Sequence, residues 1–471
     1  MNSGNAVAII VAYNFPPVAS AGVHRTLRFC RFLCENGWLP SVLTSSPEDH
    51  SRLDNHLASL VPPDIQVDGV KLVRPEDAIK LRLRRTLRRT NAKQPTSSVT
   101  SDRLSGSSGS VVPGSADEAR PDTTLQKLRR QATELAFAIP DDRIGWKRNA
   151  VTKGMEIVSE RRPSLIYATA PPFSSLLVGQ AIAREANLPL VLDFRDPWTR
   201  VPWGPRNKSW IANRWVARLE RSCVYDASVV ILNTPELRDD FANYYSKLPC
   251  EKFVSITNGF DPEIRPSIQS YLDAQVVASK DDKPLRLLHP GSLYRNRDPR
   301  PVVDAVAKLK ANGKTIVLEQ VGYCDPNFDL LRYAADRGVE SQIEIKPAIP
   351  HDQMLRRMAE VDAFLLLQPG TSLQVPGKLF EMILFKKPIL TLCVPGAVAN
   401  IVNRYQIGTI AQADDADSIA SAMAKLWTNS TTSAMWDSVA ADFDGRSLTK
   451  QLADVFNTAI ATHANACKRC P

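Results

Sequence analysis

Two open, doubly wound α/β domains with parallel sheets, facing a central cleft, are the fold class this sequence predicts. Three observations carry it. Short apolar runs rich in β-branched residues alternate with segments of helical period, this rhythm occurs twice around a polar break, and the length exceeds what one core organises. With 471 residues, 44% of them apolar, the chain can bury two cores of roughly 200 residues each.

The first series opens with the apolar run Ala6 to Tyr13, read as a buried strand. A helix follows over Gly22 to Gly37, with its apolar face at Val23, Leu27, Cys30, Phe32, Leu33 and Cys34 and with Gly37 as the left-handed stop. The strand Ser41 to Thr44 completes the cycle. The pattern then breaks. Thr90 to Thr124 is rich in Ser, Gly, Pro, Asp and Thr, so it cannot offset its ordering entropy and is expected to be a disordered insertion, residues 90–124. Before it, Lys80, Arg82, Arg84, Arg85, Arg88 and Arg89 alternate with Ile79, Leu81, Leu83 and Leu87. Peripheral contact with an anionic membrane through residues 80–89, or a solvated basic linker, are the two readings.

Strands are expected again at Leu165 to Ala170, Leu190 to Phe194, Ser228 to Leu232 and Phe253 to Ile256, with a helix over Phe173 to Ala186. The polar stretch Pro262 to Pro284 separates this half from strands near Leu285 to His289, Ile316 to Val321, Ile343 to Ile345, Ala363 to Leu367 and Ile389 to Leu392. Helices are expected between them at Pro301 to Asn312, Phe328 to Arg337, His351 to Val361 and Lys378 to Phe385. The division is therefore 1–262, 263–445, and a C-terminal helix and tail, 446–471, whose amphipathic stretch Leu448 to His463 can cross back to the first domain.

Lys and Arg number 59 against 50 Asp and Glu, a formal charge of +9 that favours anionic partners. Nucleic acid is set aside, because no basic residues interleave with aromatics on a strand and no zinc-finger or helix-turn-helix spacing occurs. The eight cysteines are scattered and mostly sit in apolar runs, as reduced core residues do; Cys467 and Cys470 lack a second ligand pair, so no metal is expected there. The N-terminal apolar run is too short for a signal peptide and no window reaches the length of a membrane span. A cytoplasmic chain, peripheral at the inner face of the membrane where the membrane reading of the basic stretch holds, is the expectation.

Strand ends that carry charge or glycine mark the candidate site, because open α/β sheets bind ligands at the carboxyl ends of their strands. Gly22 begins a helix after Tyr13-Asn-Phe-Pro-Pro17 and lets backbone approach a ligand, with His24 and Arg25 beside it; a plain turn with a surface arginine is the alternative. Asp193-Phe-Arg-Asp-Pro-Trp198 ends a strand in two carboxylates and Arg195, placed for a cleft or for an ion-pair network that braces the loop. Leu288-His-Pro-Gly-Ser-Leu-Tyr-Arg295-Asn-Arg297 presents Gly291 and two guanidiniums, which suit a diphosphate. Gln374-Val-Pro-Gly-Lys378-Leu-Phe-Glu381 places Lys378 and Glu381 three apart on a first helical turn, an ammonium for phosphate and a carboxylate for sugar hydroxyls; an internal Lys–Glu surface pair is the alternative for this helix start alone.

Taken together with Pro140-Asp-Asp-Arg-Ile-Gly-Trp146, Ala170-Pro-Pro172 and Thr257-Asn-Gly-Phe-Asp261, these pieces resemble the family-4 type of retaining glycosyltransferases over most of the chain outside 90–124. The resemblance implies a GT-B fold of two Rossmann-like domains, with the donor on the C-terminal half and the acceptor on the N-terminal half. It implies that Glu381, the second glutamate of a Glu-x7-Glu motif, holds the donor ribose. Lys378 and Arg295 or Arg297 would hold the diphosphate, Gly291 and Gly22 would approach it, and His24, Arg25, Asp193, Arg195 and Asp196 would line the acceptor side. Leu373 stands where the first glutamate belongs, so the contact that residue makes with the transferred sugar is in question. Asp193 to Asp196 does not form the Asp-x-Asp metal motif of single-domain glycosyltransferases, and neither a cofactor nor a required metal is expected.

The expected activity is transfer of a hexosyl or N-acetylhexosaminyl group from a nucleoside diphosphate sugar to a saccharide or lipid-linked saccharide acceptor, with retention, in polysaccharide biosynthesis. Two rivals remain: a nucleotide-sugar epimerase of the same fold, and a non-catalytic membrane-surface scaffold that keeps it.

Overall fold

The continuous apolar runs become strands buried on both faces, as parallel sheets covered by helices require. In the computed structural model, residues 5–73, 139–201, 209–275, 283–427 and 432–469 are described. The first sheet has seven parallel strands: β1 (Ala6–Val11), β2 (Trp38–Ser45), β3 (Gln66–Val70), β4 (Leu165–Ala170), β5 (Leu190–Phe194), β6 (Val229–Leu232) and β7 (Phe253–Ser255), in the order β3-β2-β1-β4-β5-β6-β7. The second has six: β8 (Leu285–Pro290), β9 (Ile316–Val321), β10 (Ile343–Lys346), β11 (Ala363–Gln368), β12 (Ile389–Cys393) and β13 (Gly408–Ala411), in the order β10-β9-β8-β11-β12-β13. Both are doubly wound sheets whose strand order reverses beside the first strand, which is where such folds place ligands.

Several boundaries differ from the sequence reading. The first strand stops at Val11, paired with Leu43 and Ala168, so Tyr13 belongs to the loop above the sheet. The helix expected over Gly22 to Gly37 is α-helical only from Val23 to Leu33 and tightens into a 3-10 turn, Cys34–Asn36, before Gly37 closes it at φ 79°. Phe328 to Arg337 is likewise shorter, a helix over Leu330–Ala335 behind the turn Pro326–Phe328. The polar stretch after Pro262 contains a helix, Arg265–Asp273, whose buried Ile268 joins the second domain's core and which packs on the helix His351–Glu360. Residues 80–89 and 90–124 lie outside the described residues.

Each sheet has an apolar cluster on either face. One face of the first sheet is covered in part by Val23, Leu27, Cys30 and Leu33 of the first helix and by Leu448, Leu452, Ala453, Phe456 and Ala459 of the last, Gly445–Arg469. That last helix starts where the chain crosses between domains, at the backbone bond from Phe260 N to Phe443 O (3.2 Å). It then lies against the first domain, with the Phe456 ring edge-on to Trp38 at 5.1 Å and tilted against Tyr167 at 5.7 Å. The C-terminal segment is therefore part of the first domain's core.

Of the cysteines in described segments, Cys30, Cys223 and Cys393 are buried and Cys250 is exposed. Phe456→Ala, which would open a cavity between the last helix and the first sheet, is expected to cost about 3–5 kcal/mol. Chemical denaturation followed by a probe in the N-terminal domain would measure it.

Candidate functional site

A cleft of about 820 Å³ runs between the carboxyl ends of the two sheets. From the first domain it is lined by Tyr13, Asn14, Gly22, Arg25, His50, Arg143, Arg195, Asp196, Asn233 and Asn258, and from the second by Tyr294, Arg295, Asn296, Arg297, Gln368, Thr371, Gln374 and Gly377. Among the expected site residues, Gly22, Arg25, Arg195, Asp196, Arg295 and Arg297 therefore lie on its wall. His24, Asp193, Gly291, Leu373, Lys378 and Glu381 stand behind or beside it.

Asp193 is wholly buried and does not face the cleft. Its carboxylate accepts from Arg25 Nε (3.0 Å) and Nη2 (2.8 Å), from the Tyr167 hydroxyl (2.6 Å) and from Thr169 Oγ1 (2.8 Å). Arg25 also donates to the carbonyls of Ile256 (2.9 Å) and Thr257 (2.7 Å). A buried ion pair is tolerated only when its remaining donors and acceptors are satisfied, and here they are. Burial acts against the Asp193 carboxylate, but Arg25 and the two hydroxyls outweigh it and hold its pKa below the usual value. The bracing network, one of the two sequence readings, is thus what Arg25 and Asp193 form.

Gly22 likewise plays a different part. A side chain there would run into the Arg195 guanidinium, so its missing Cβ makes room for that arginine on the cleft wall. Arg195 donates to the Pro171 carbonyl, and burial lowers its pKa, opposed by Asp193 and Asp196. Asp141 accepts from Ser174 N (3.0 Å) and Oγ (2.6 Å), which fills the start of the helix Ser174–Ala186 with a carboxylate.

On the facing side, His289 is buried and neutral, its pKa well below the usual value, chiefly because of burial. Its Nδ1 meets the Leu365 carbonyl at 2.9 Å, where only a protonated nitrogen can donate. That tautomer leaves Nε2 to accept from Lys378 Nζ at 3.4 Å, and the same ammonium donates to the Pro290 carbonyl at 3.3 Å. Gly291, at φ 151°, keeps this place open, since a Cβ would sit 2.7 Å from Lys378 Nζ. Burial first, then the charge of Arg297, push Lys378 down to about 7. Arg297 itself donates to the neutral amide of Gln368 (3.2 Å). Among the described residues, none of Lys378, Arg195, Arg295 and Arg297 forms an ion pair.

Glu381 begins in the same helical turn, Lys378–Ile383, and its Oε1 meets His351 Nε2 at 3.2 Å. The hydrogen bond to Glu381 raises the pKa of His351, whereas burial lowers that of His24, with Glu381 pulling it the other way. Glu381 therefore stands within electrostatic reach of the first domain's helix start.

Leu373 is not a donor-pocket residue in this geometry. It packs against the apolar cluster of the first domain, and its carbonyl accepts from Thr234 Oγ1 (2.8 Å). Next to it Gln374 donates to Asp196, and farther out Asn400 Nδ2 meets Glu236 Oε1 at 2.6 Å. His50 and Asn233 carry no signal in the sequence, whereas Tyr13, Asn14, Arg143, Asn258 and Gln374 fall within its motifs without being singled out by them. No three His, Cys, Asp or Glu side chains converge as a metal site among the described residues.

Lys378→Met should raise the melting temperature at pH 6, where the buried ammonium is charged in both the folded and the unfolded chain. The gain should shrink between pH 7 and about 10.5, where the unfolded chain alone keeps the proton. A lowered melting temperature at pH 6 would show that the ammonium contributes more than its burial costs.

Residues 111–264 match the family model described as Glycosyltransferase Family 4, and residues 284–429 match that described as Glycosyl transferases group 1. No curated protein matches the chain by sequence. Among solved structures it is similar to sucrose-phosphate synthase from Thermosynechococcus elongatus, with a TM-score of 0.61, 13% identity, and 97% of this chain and 99% of that one covered. It is similar also to a glycosyltransferase from Rickettsia africae (0.58, 12% identity, 97% and 98% covered). A third is HepE of Anabaena, solved with UDP and glucose (0.57, 16% identity, 96% and 99% covered). These likenesses show the GT-B fold, and with a glycosyltransferase model matched on each of its two domains the chain belongs to the GT-B glycosyltransferases.

Proposed function

We propose that this chain transfers a hexosyl or N-acetylhexosaminyl group from a nucleoside diphosphate sugar to a saccharide or lipid-linked saccharide, with retention at the anomeric carbon. Its setting would be polysaccharide biosynthesis on the cytoplasmic side of a membrane. The observation that carries this reading is the set of cations without carboxylate partners, Lys378, Arg295 and Arg297, beside a cleft between two α/β domains. A diphosphate is the ligand that such a set lacks.

When the bond from the anomeric carbon to the donor's phosphate oxygen breaks, negative charge gathers on the departing diphosphate. The role assigned to Lys378 and Arg297 is to meet that charge, and donors fixed in place before the reaction do not have to reorganise during it. The role assigned to Glu381 is to accept the ribose hydroxyls, with His351 fixing the orientation of its carboxylate. The acceptor would lie against the first domain's wall, where Tyr13, Arg143, Asn233 and Asp196 present hydrogen-bonding groups. HepE, whose fold this chain shares, was solved with UDP, which supports a uridine nucleotide as the first donor to try.

Thermal shift with a panel of nucleoside diphosphates tests this directly. A true ligand at a hundred times its dissociation constant should add about 2.7 kcal/mol of stability, and Lys378→Ala or Arg297→Ala should abolish most of the shift. Because Lys378 titrates near 7 when the site is empty, affinity for the diphosphate should fall by up to about tenfold per unit as pH rises from 7 to 9. No shift with any nucleotide would overturn the reading. Conversion of a nucleotide sugar to its epimer without acceptor would replace it with the epimerase.

A further inference from the structure

The helix Trp210–Asp226 carries a surface that the transferase site does not use. Its inner side is anchored. Ala212, Val216, Cys223 and Val224 are buried, and the buried Glu220 carboxylate accepts from Thr199 N (2.8 Å), Thr199 Oγ1 (2.9 Å) and the Tyr245 hydroxyl (2.8 Å). Its outer side is unlike an ordinary solvated face. Trp210 is 72% exposed, Trp215 50% and Ile211 49%, whereas large apolar side chains on a folded protein are normally covered.

At 100° per residue, Trp210, Arg221, Arg214, Tyr225, Arg218, Ile211, Ser222 and Trp215 follow one another around a single arc of about 140°. No acidic residue falls within that arc. The helix has only two, Glu220 on the inner side and Asp226 at its end, where it is tied to Gln180 (2.7 Å) and Arg184. None of Arg214, Arg218 and Arg221 forms an ion pair among the described residues.

We infer that this face docks the protein on an anionic phospholipid surface. Indole rings favour the boundary between headgroups and acyl chains, where the ring is apolar and its N–H stays wet. Arginines on the same arc can bury their methylene stems while their guanidiniums meet lipid phosphates. A protein partner would need matching apolar and acidic patches, whereas an anionic bilayer supplies both over the whole arc. The placement also fits the cleft. In a parallel sheet the helix after a strand starts at that strand's carboxyl end, so Trp210 lies toward the end of the domain where β5 delivers Arg195 and Asp196 to the cleft wall. An acceptor embedded by a lipid tail would thus be held on the side from which the first domain's wall is reached. The surface proposal itself does not rest on the transferase reading, because vesicle binding requires no turnover.

The test is sedimentation of the full chain with vesicles of phosphatidylcholine alone or mixed with phosphatidylglycerol, at low and high salt. Binding is expected only to the anionic vesicles, weakening with salt, and brominated lipids should quench part of the tryptophan emission. W210S/W215S should remove that quenching and lower the vesicle partition at least about tenfold, and Arg214→Gln or Arg218→Gln roughly fivefold each. All of these positions are at the surface, so melting temperature and nucleotide binding should stay as in the parent chain. Three outcomes would overturn the inference. One is an unchanged partition in W210S/W215S. Another is loss of binding only when the basic residues 80–89 are replaced. The third is a dimer in the parent chain that becomes a monomer in W210S/W215S, which would assign the face to a second copy.

Discussion

The guanidinium of Arg25 gathers the carboxyl ends of the first sheet into one rigid floor. Through Asp193 it holds the end of β5, through Tyr167 and Thr169 the adjoining strand β4, and through the carbonyls of Ile256 and Thr257 the segment that leads out to the second domain. Removing either member would leave the other charge buried and unpaired, a loss of several kcal/mol. The wall residues Arg195 and Asp196 follow Asp193 directly in the chain, so their positions are inherited from this pair. The floor is structural, and it is what allows the residues above it to be functional.

A contrast between the two sides of the cleft follows. On the first domain, charge is neutralised internally: Asp193 by Arg25, and Asp141 by the helix start at Ser174. On the second domain, Lys378 is left facing a neutral histidine, and burying that ammonium without a carboxylate costs stability until an anion arrives, while Arg295 and Arg297 line the cleft without carboxylate partners. The family models place both halves among glycosyltransferases, and this asymmetry is what supports the diphosphate site proposed for the second.

The central strands were legible in the sequence because strands buried on both faces read as unbroken apolar runs, as in Leu165 to Ala170 or Ile316 to Val321. The edge strands Gln66–Val70 and Gly408–Ala411 were not, since half-exposed strands with glycine carry little apolar signal. Lys378 and Glu381 were found because a short motif holds both. For Asp193 the choice between cleft wall and bracing network stayed open in the sequence, since residues 168 apart give no sign that they pair. His50 and Asn233 have no motif around them, because lone polar residues in loops carry no local pattern, and only the fold brings them to the cleft.

Leu373 occupies the position where relatives of the resembled type carry an acid, and its side chain instead leans into the apolar cluster of the opposite lobe. Parting the lobes must then wet a leucine, break the Thr234 clasp and free Gln374 from Asp196 in the same movement. A carboxylate there would be indifferent to such exposure or would welcome it. The side chain at this position thus works as a seam between the two lobes, where one apolar contact and two polar ones together oppose their separation.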